Sequence, residues 1–154
     1  MSENQQEELA KLGHHSKKYT KTEADVVSEL CIAFDKSHLS LAQKLGAFPR
    51  HVRRQDIARF LTKYEIFKSI LPVNGSIIEC GVFTGGGIMA WCHFSAILEP
   101  YNHTRRIIGF DTFSGFPDVN EKDNKGISEH LHHGAFKTND SMLDELQHWM
   151  NCSN

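Results

Sequence analysis

The sequence predicts an α/β fold built on a parallel βαβ unit, and three observations carry that prediction. A short apolar run at 76–79 ends in an acid and leads into a glycine-rich turn at 81–87. A second apolar run at 106–110 is followed by another acid. Between the two runs, apolar residues recur at helical spacing over 86–98. Parallel strands need such a crossover helix, and we expect the crossover to be right-handed.

The first strand carries apolar side chains on both of its faces, at Ile77 and Ile78. Strands of this kind are typical of parallel sheets that are covered on both sides. Because the carboxyl ends of parallel strands lie at one edge, Glu79 and Asp111 should lie together there. Ligands bind at this edge in open α/β sheets.

Helices precede the βαβ unit, and one more follows it. Residues 1–50 are predicted to form a polar tail and a helical segment. In this segment Thr22 should cap one helix, while Leu41 and Leu45 should face inward from a second helix that stops at Gly46. Residues 51–154 form the second region, which starts with a long amphipathic helix over 53–71. The apolar stripe of this helix is predicted to hold Ile57, Phe60, Leu61, Tyr64, Phe67, Ile70 and Leu71. A last helix should begin near 140 or 141.

Composition and charge exclude several classes of protein. The chain has 154 residues, of which 40% are apolar and 23% charged, with a net charge of −2. It is long enough for one modest core, and its charge gives no bias toward nucleic acid or an anionic membrane. No stretch approaches the roughly 18 apolar residues of a membrane span. The polar, acidic start is unlike a signal peptide, so we expect a cytoplasmic protein.

The four cysteines form no CxxC pair. Neither a zinc site nor a disulfide framework is therefore expected. Cys80 lies in the first strand and Cys92 in the helix that follows. We expect both to be small residues of the core.

The glycine-rich turn is compatible in principle with three classes of ligand. A nucleoside triphosphate requires a P-loop that ends in Gly-Lys-Ser/Thr, but isoleucine and methionine follow Gly87, so this class is rejected. A dinucleotide site has the spacing GxGxxG and an acid about 20 residues further on. Here the spacing is GxxxG over 81–85, and Asp111 lies 32 residues after Glu79 (111 − 79), which disfavours a dinucleotide.

S-adenosylmethionine matches the pattern best, because it is a zwitterion with a sulfonium cation and no phosphate. Its site needs carboxylates rather than lysines. Glu79 should receive the ammonium side of the ligand, directly or through water, and Asp111 should accept both ribose hydroxyls. The backbone at Gly81 should pass close beneath the ligand. Two structural alternatives stay open, namely a strand-end ion pair for Glu79 and a turn cap for Asp111.

Two segments resemble the macrocin O-methyltransferase (TylF-type) family of class I S-adenosylmethionine-dependent methyltransferases. They are Glu-Cys-Gly-Val-Phe-Thr-Gly-Gly-Gly at 79–87 and Phe-Asp-Thr-Phe-Ser-Gly-Phe-Pro at 110–117, and the resemblance covers roughly 53–150. It implies a Rossmann-like methyltransferase sheet, represented by its first βαβ unit and the following helix. The cofactor-binding residues it implies are Glu79, Gly81, Val82, Phe83, Thr84, Gly85, Gly86, Asp111, Thr112 and Phe113.

The resemblance also implies an activity, the methylation of a hydroxyl on a sugar-like small molecule, with magnesium in the full-length family. The family's metal ligands and general base lie beyond residue 154, so no catalytic or metal-binding residue is assigned here. The chain is expected to be the N-terminal portion of a longer protein, or a partial gene product, with an unpaired apolar edge on its first strand. Alone, it should bind S-adenosylmethionine weakly and transfer no methyl group.

Two alternative functions stay open: an NAD-dependent Rossmann oxidoreductase and a non-catalytic binding or interaction fragment. The expected partner is a small-molecule acceptor, and a homo-oligomer is left open. His130, His132 and His133 have no partner cluster of Cys or Asp, which favours a solvated loop over a metal site. For Phe113 and Phe116, shielding of the ligand pocket and packing on the sheet are equally favoured.

Overall fold

The computed structural model describes residues 21–120, 122 and 132–152 of the chain. These residues belong to two compact units, the first drawn from 1–58 and 118–132 and the second from 59–117 and 133–154. In this described part, no helix is both long and apolar enough to cross a membrane. The glycine-rich turn and both predicted strands belong to the second unit.

The described part of the first unit contains two helices and a 3-10 turn. Helix α1 spans Lys21–Lys36, helix α2 spans Leu41–Gly46, and a 3-10 turn spans Phe48–Arg50. Ser40 starts α2 with a reciprocal capping box. Its hydroxyl accepts from the N–H of Gln43 at 3.3 Å, while the Gln43 side chain accepts from the N–H of Ser40 at 2.9 Å. The sequence around Ser40 therefore defines the start of α2.

Two predictions for these helices are wrong. Thr22 lies inside α1, so it is not the residue that caps this helix. Leu41 and Leu45 are exposed, and no residue of α2 is buried. Helical spacing places the two leucines on one face of α2, but spacing alone does not supply a surface for that face to pack against.

Helix α3 spans Arg54–Ile70, close to the predicted bounds. At its start the guanidinium of Arg53 donates to the carboxylate of Asp56 at 2.7 and 2.8 Å, and the backbone N–H of Arg53 donates to the same group at 3.3 Å. This puts a carboxylate in the first turn, where the helix dipole favours it. The helix ends two residues before Pro72, which has no N–H to continue it.

The second unit contains the predicted βαβ arrangement and a terminal helix. Besides residues 59–70 of α3, its elements are β1 (Ile77–Cys80), α4 (Gly86–Leu98), β2 (Ile107–Phe110) and α5 (Met142–Cys152). The strands are parallel, with Ile77 opposite Ile107 and Cys80 opposite Phe110. The α/β fold with a parallel sheet is thus confirmed. Within the described residues this sheet has two strands, and no described strand pairs with the outer edge of β1.

Two clusters of apolar side chains cover one face of this sheet. The helix cluster is centred on Phe67, Ala90 and Phe94, with Tyr64, Ile70, Ile77, Trp91 and Leu98 against it. The rim cluster is centred on Val82, Ile88 and Leu146, with Met89, Ile107, Phe113 and Met142 against it. The helix cluster joins α3 and α4 to β1, and the rim cluster joins the glycine-rich turn to α4, α5 and β2. Leu61, predicted on the apolar stripe of α3, is exposed.

The other face of the sheet is open. Ile78 is 61% exposed and Phe110 is 58% exposed, and Ile108 and Cys80 on this face are exposed as well. The prediction that β1 is buried on both faces is therefore wrong, and so is the prediction that Cys80 is a core residue. Alternate side chains of a strand point to opposite faces, and only one face of this sheet is packed against helices. Cys92 is partly buried.

A buried ion pair holds the chain where it enters the two strands. The guanidinium of Arg105 binds the carboxylate of Glu99 at 2.5 and 2.9 Å, and the two side chains are 4% and 9% exposed. Arg105 also donates to the backbone carbonyls of Ile70, Val73 and Gly75 at 3.0 to 3.2 Å. One side chain thereby links the end of α3, the turn before β1 and the start of β2.

Candidate binding site at the strand ends

The register of the sheet places both acids at one edge. Cys80 and Phe110 are paired, so β1 and β2 end at the same level. Glu79 is the last residue but one of β1, and Asp111 directly follows β2. The prediction that Glu79 and Asp111 share the carboxyl edge of the sheet is confirmed. Both side chains are partly buried.

The glycine-rich turn after β1 has a left-handed backbone at three of its positions. Gly81, Phe83 and Gly85 have φ of 85°, 52° and 86°. The N–H of Gly81 donates to the carbonyl of Phe110 at 2.8 Å, and the N–H of Gly85 donates to the carbonyl of Val82 at 2.9 Å. Glycine adopts such φ values without a steric penalty, so Gly81 and Gly85 let the chain turn sharply into α4.

Asp111 ties this turn to the loop after β2. Its Oδ2 accepts from the backbone N–H of Phe83 at 2.7 Å, and its Oδ1 accepts from that of Phe113 at 2.6 Å. Phe113 has φ of 55°, so both phenylalanines bound by Asp111 adopt the left-handed conformation that non-glycine residues rarely take. Strained backbone of this kind persists where the surroundings hold it, and it is concentrated at ligand-binding sites.

The turn-cap alternative for Asp111 is therefore confirmed. The carboxylate still has acceptor positions that these two hydrogen bonds do not use. Each carboxylate oxygen has two acceptor positions, and one hydrogen bond to each oxygen uses half of them. The hydrogen bonds to Phe83 and Phe113 also hold the carboxylate in one orientation at the edge of the sheet. The predicted role of Asp111 toward a ribose stays a prediction.

Glu79 lies against the first turns of α4. Its Oε2 accepts from the indole N–H of Trp91 at 2.6 Å. A methyl group added at Gly87 would lie 2.7 Å from Oε2 and would collide with Oε1, so the carboxylate occupies the space that the missing Cβ of Gly87 leaves. Burial raises the pKa of the Cys92 thiol, and the nearby charge of Glu79 raises it further.

The start of α4 offers backbone donors to a ligand. Gly85 is the N-cap of this helix, and its first turn holds no acidic side chain and no side-chain cap. The first N–H groups of a helix have no acceptor within the helix and carry a partial positive charge. A methyl group at Gly85 would collide with Leu146 of α5, so the rim cluster packs directly on this turn.

The remaining predicted site residues differ in how far they are buried. Val82 is buried in the rim cluster, and Phe113 packs against that cluster, which supports packing rather than shielding for Phe113. Thr84 and Gly86 are exposed beside the turn. Thr112 is also exposed, and its hydroxyl donates to the carbonyl of Gly115 at 3.2 Å.

An aromatic group that sequence reasoning missed lies beside the turn. Phe136 makes edge-to-face contacts with Phe83 at 6.0 Å and with Phe116 at 5.5 Å between ring centroids. Phe136 also has a left-handed backbone, with φ of 63°. No local pattern marks Phe136, because it follows a long polar stretch with no predicted element. Trp91 was also missed as a site residue, although it lies four residues after Gly87 on the same side of α4.

The histidine-rich stretch does not form a metal site in the described residues. There, no group of three or more His, Cys, Asp or Glu side chains is arranged to hold a metal ion. His132 and His133 are exposed, as expected for a solvated loop, and Nδ1 of His133 lies 2.7 Å from the carbonyl oxygen of Pro117. His130 lies outside the described residues.

Comparison with known proteins identifies the fold. No protein-family model matches the chain, and no curated protein matches it at a significant level. The crystal structure of CalS11, a calicheamicin methyltransferase, aligns with a TM-score of 0.83 and 27% sequence identity, over 89% of this chain and 52% of that one. The apo structure of CalS11, a TDP-rhamnose 3'-O-methyltransferase of calicheamicin biosynthesis, aligns with a TM-score of 0.67 and 25% identity, over 90% and 52%.

The chain therefore has the Rossmann-like fold of methyltransferases. It spans about half the length of the solved structures that it matches. The βαβ unit and the helix that follows it agree with the predicted fold class.

Proposed function

We propose that this chain binds S-adenosylmethionine at the carboxyl edge of β1 and β2, and that it is the donor-binding half of a sugar O-methyltransferase. The observation that carries the proposal is that Glu79 and Asp111 lie at the same edge of the sheet, beside a left-handed glycine turn. The segments 79–87 and 111–117 contain no lysine or arginine. Such a site favours a cationic ligand without phosphates. The likeness to CalS11, which is a methyltransferase, supports the same conclusion.

Each acid has a distinct role in this proposal. Asp111 accepts the two ribose hydroxyls with the acceptor positions that Phe83 and Phe113 leave available. Glu79 receives the ammonium group, from its place beside the first turn of α4. Gly81 keeps the backbone close to the ligand, because it carries no side chain and an added Cβ there would meet no protein atom within 4 Å.

When bound, the cofactor supplies a methyl group on a sulfonium sulfur, which is transferred in line to a hydroxyl oxygen. The contribution of this chain is to hold the donor in a fixed orientation, and such positioning supplies a large part of the catalysis of a group transfer. The hydroxyl proton must pass to a base. No residue of this chain is assigned that role.

The acceptor in this proposal is a sugar hydroxyl, by analogy with CalS11, which is a TDP-rhamnose 3'-O-methyltransferase. The TylF-type assignment is also part of the proposal, and it is supported by the segments at 79–87 and 110–117. No residue of this chain is assigned to magnesium, which the resemblance implies only for the full-length family. The chain spans 52% of CalS11, and no acceptor-binding residue is assigned to it.

The proposal is tested by ligand-dependent thermal unfolding of the 154-residue chain with S-adenosylhomocysteine and with NAD. We expect S-adenosylhomocysteine to raise the midpoint and NAD to leave it unchanged, since a ligand stabilises only the state that binds it. Asp111→Asn should abolish the shift and also lower the midpoint without ligand, because an amide cannot accept from both Phe83 and Phe113.

Asp118→Asn is the matched control, because Asp118 is exposed and its carboxylate accepts from the adjacent N–H of Val119 at 2.8 Å. It should keep the shift. Stabilisation by NAD alone would contradict the proposal in favour of an oxidoreductase. No response to either ligand would favour a non-catalytic binding fragment.

A further inference from the structure

We infer that Trp91 is a positioning residue, whose indole N–H holds the carboxylate of Glu79 where it receives the ammonium group of the ligand. The inference rests on the proposed S-adenosylmethionine site and adds to it a residue of α4 that contacts the ligand only through Glu79. Its basis is the contact between two side chains that lie 12 positions apart in the sequence.

The contact between Trp91 and Glu79 is a charge-assisted hydrogen bond. The indole nitrogen lies 2.6 Å from Oε2, a short distance typical of a donor to an ionised acceptor. Indole has a single N–H donor and no hydrogen-bond acceptor, so its N–H can stabilise the carboxylate. The remaining acceptor positions of Glu79 stay available to an ammonium group.

Gly87 also determines where the carboxylate of Glu79 lies. It lies one helical turn before Trp91 on α4, so the two residues share a face of this helix. Since any side chain at position 87 would collide with the carboxylate, the glycine lets Glu79 approach the helix backbone. Trp91 thus positions the carboxylate through a hydrogen bond, and Gly87 does so because it has no side chain to exclude the carboxylate.

The indole ring is itself held by its neighbours. Phe67 stacks on it with ring centroids 6.5 Å apart, and Phe94 meets it edge-on at 6.1 Å. The ammonium of Lys63 lies 6.0 Å from the centroid of the same ring. Phe67 and Phe94 are almost completely buried, so the helix cluster keeps the ring in one orientation. Orientation fixed before binding reduces the entropy that a ligand must lose.

The test compares two ligands that differ in the group Glu79 is inferred to receive. S-adenosylhomocysteine carries the amino acid portion with its ammonium, whereas 5'-methylthioadenosine lacks it. Trp91→Phe keeps an aromatic ring in the helix cluster and removes the N–H. We expect it to weaken S-adenosylhomocysteine binding by about tenfold, the effect of one hydrogen bond to a charged group, and to leave methylthioadenosine affinity unchanged. Affinities are measured by isothermal titration calorimetry on the whole chain.

Coupling to Glu79 separates positioning from packing. Glu79→Gln is nearly isosteric and retains an oxygen for the indole, but it removes the charge. It should weaken S-adenosylhomocysteine binding selectively, and adding Trp91→Phe to it should have little further effect, since both changes act through one carboxylate. Trp149→Phe is the matched control because it alters the only other tryptophan in the chain, on α5.

The indole N–H resonance of Trp91 gives a readout that does not depend on the folding of any Trp91 variant. Trp149→Phe assigns the two indole signals of the chain. S-adenosylhomocysteine should shift the Trp91 signal in the native chain, whereas methylthioadenosine should shift it much less.

Equal shifts with the two ligands, or equal weakening of both by Trp91→Phe, would overturn the inference and leave the proposed function standing. Absence of binding by the native chain to either ligand would overturn the proposed function, and the inference with it.

Discussion

The two faces of the β1–β2 sheet carry similar apolar side chains in different surroundings. On the covered face, Ile77 and Ile107 pack against the two clusters, and Gly109 lies so close to α4 that a methyl group there would be 2.6 Å from Cδ1 of Ile88. On the open face, Ile78 and Phe110 are more than half exposed. Apolar composition identifies a strand, but it does not determine which of its faces is packed.

The covered face is also the one that organises the candidate site. Glu79 points to this side, where Trp91 and Gly87 of α4 hold it. Parallel sheets are normally covered on both sides, so the open face is unusual for the fold. The alignment with CalS11 covers 52% of the CalS11 chain, so nearly half of that chain has no counterpart in this one. The covered face by itself places Glu79 against Trp91 and Gly87 of α4.

The largest expected difference between the faces comes from a matched pair of phenylalanines. Phe94 is 2% exposed and contacts Phe60, Tyr64 and Phe67, whereas Phe110 is 58% exposed. Phe94→Ala should lower the free energy of unfolding by about 3–5 kcal/mol, and Phe110→Ala by less than about 1 kcal/mol. Urea unfolding followed by circular dichroism measures both. Equal losses would mean that the face described as open is packed in solution.

A smaller effect is expected from a methyl group on the covered face. Gly109→Ala would place Cβ 2.6 Å from Cδ1 of Ile88 and 2.7 Å from Cγ2 of Val82, so the rim cluster must shift to accept it. We expect a loss of about 1–3 kcal/mol in the free energy of unfolding. Gly46→Ala is the control, because an added Cβ there meets no atom within 4 Å. An unchanged stability for Gly109→Ala would show that the turn and α4 are loosely packed.

The smallest expected effect is on the pH dependence of stability, and it comes from the Glu99–Arg105 ion pair before the two strands. The hydrogen bond from Arg105 lowers the pKa of Glu99 and outweighs burial, which raises it, while a further bond from Asn102 adds to the lowering. A carboxyl whose pKa is lower in the folded state contributes stability above its unfolded pKa and loses it as the pH falls through the folded one. The free energy of unfolding of the native chain should therefore fall as the pH falls from the unfolded pKa of Glu99 through its lower folded pKa.

Glu99→Gln should remove that part of the pH dependence, as measured by urea unfolding at a series of acidic pH values. Glu65→Gln is the control, because Glu65 pairs with Lys68 at 3.1 Å on the surface, where such pairs contribute little. Parallel pH profiles for Glu99→Gln and the native chain would show that Glu99 is not the group that titrates.

Local patterns were enough to predict the elements of the second unit. Helix α4 has the predicted bounds, because the glycines start it and the apolar spacing continues to Leu98. The carboxyl-edge placement of Glu79 and Asp111 followed from parallel strands alone. The short apolar stripe of α2 misled the prediction for Leu41 and Leu45, since periodicity predicts a face and not its partner.

The sequence by itself thus determined the order of helices and strands, the left-handed turn that glycine permits, and the edge at which two acids meet. Only the tertiary structure decided that Asp111 binds the N–H of Phe83, 28 residues away, that Trp91 holds Glu79, and that one face of the sheet stays open. The physical reason is that backbone geometry and residue spacing act within a few residues. The orientation of a carboxylate and the burial of a face depend on side chains that folding brings together from distant segments.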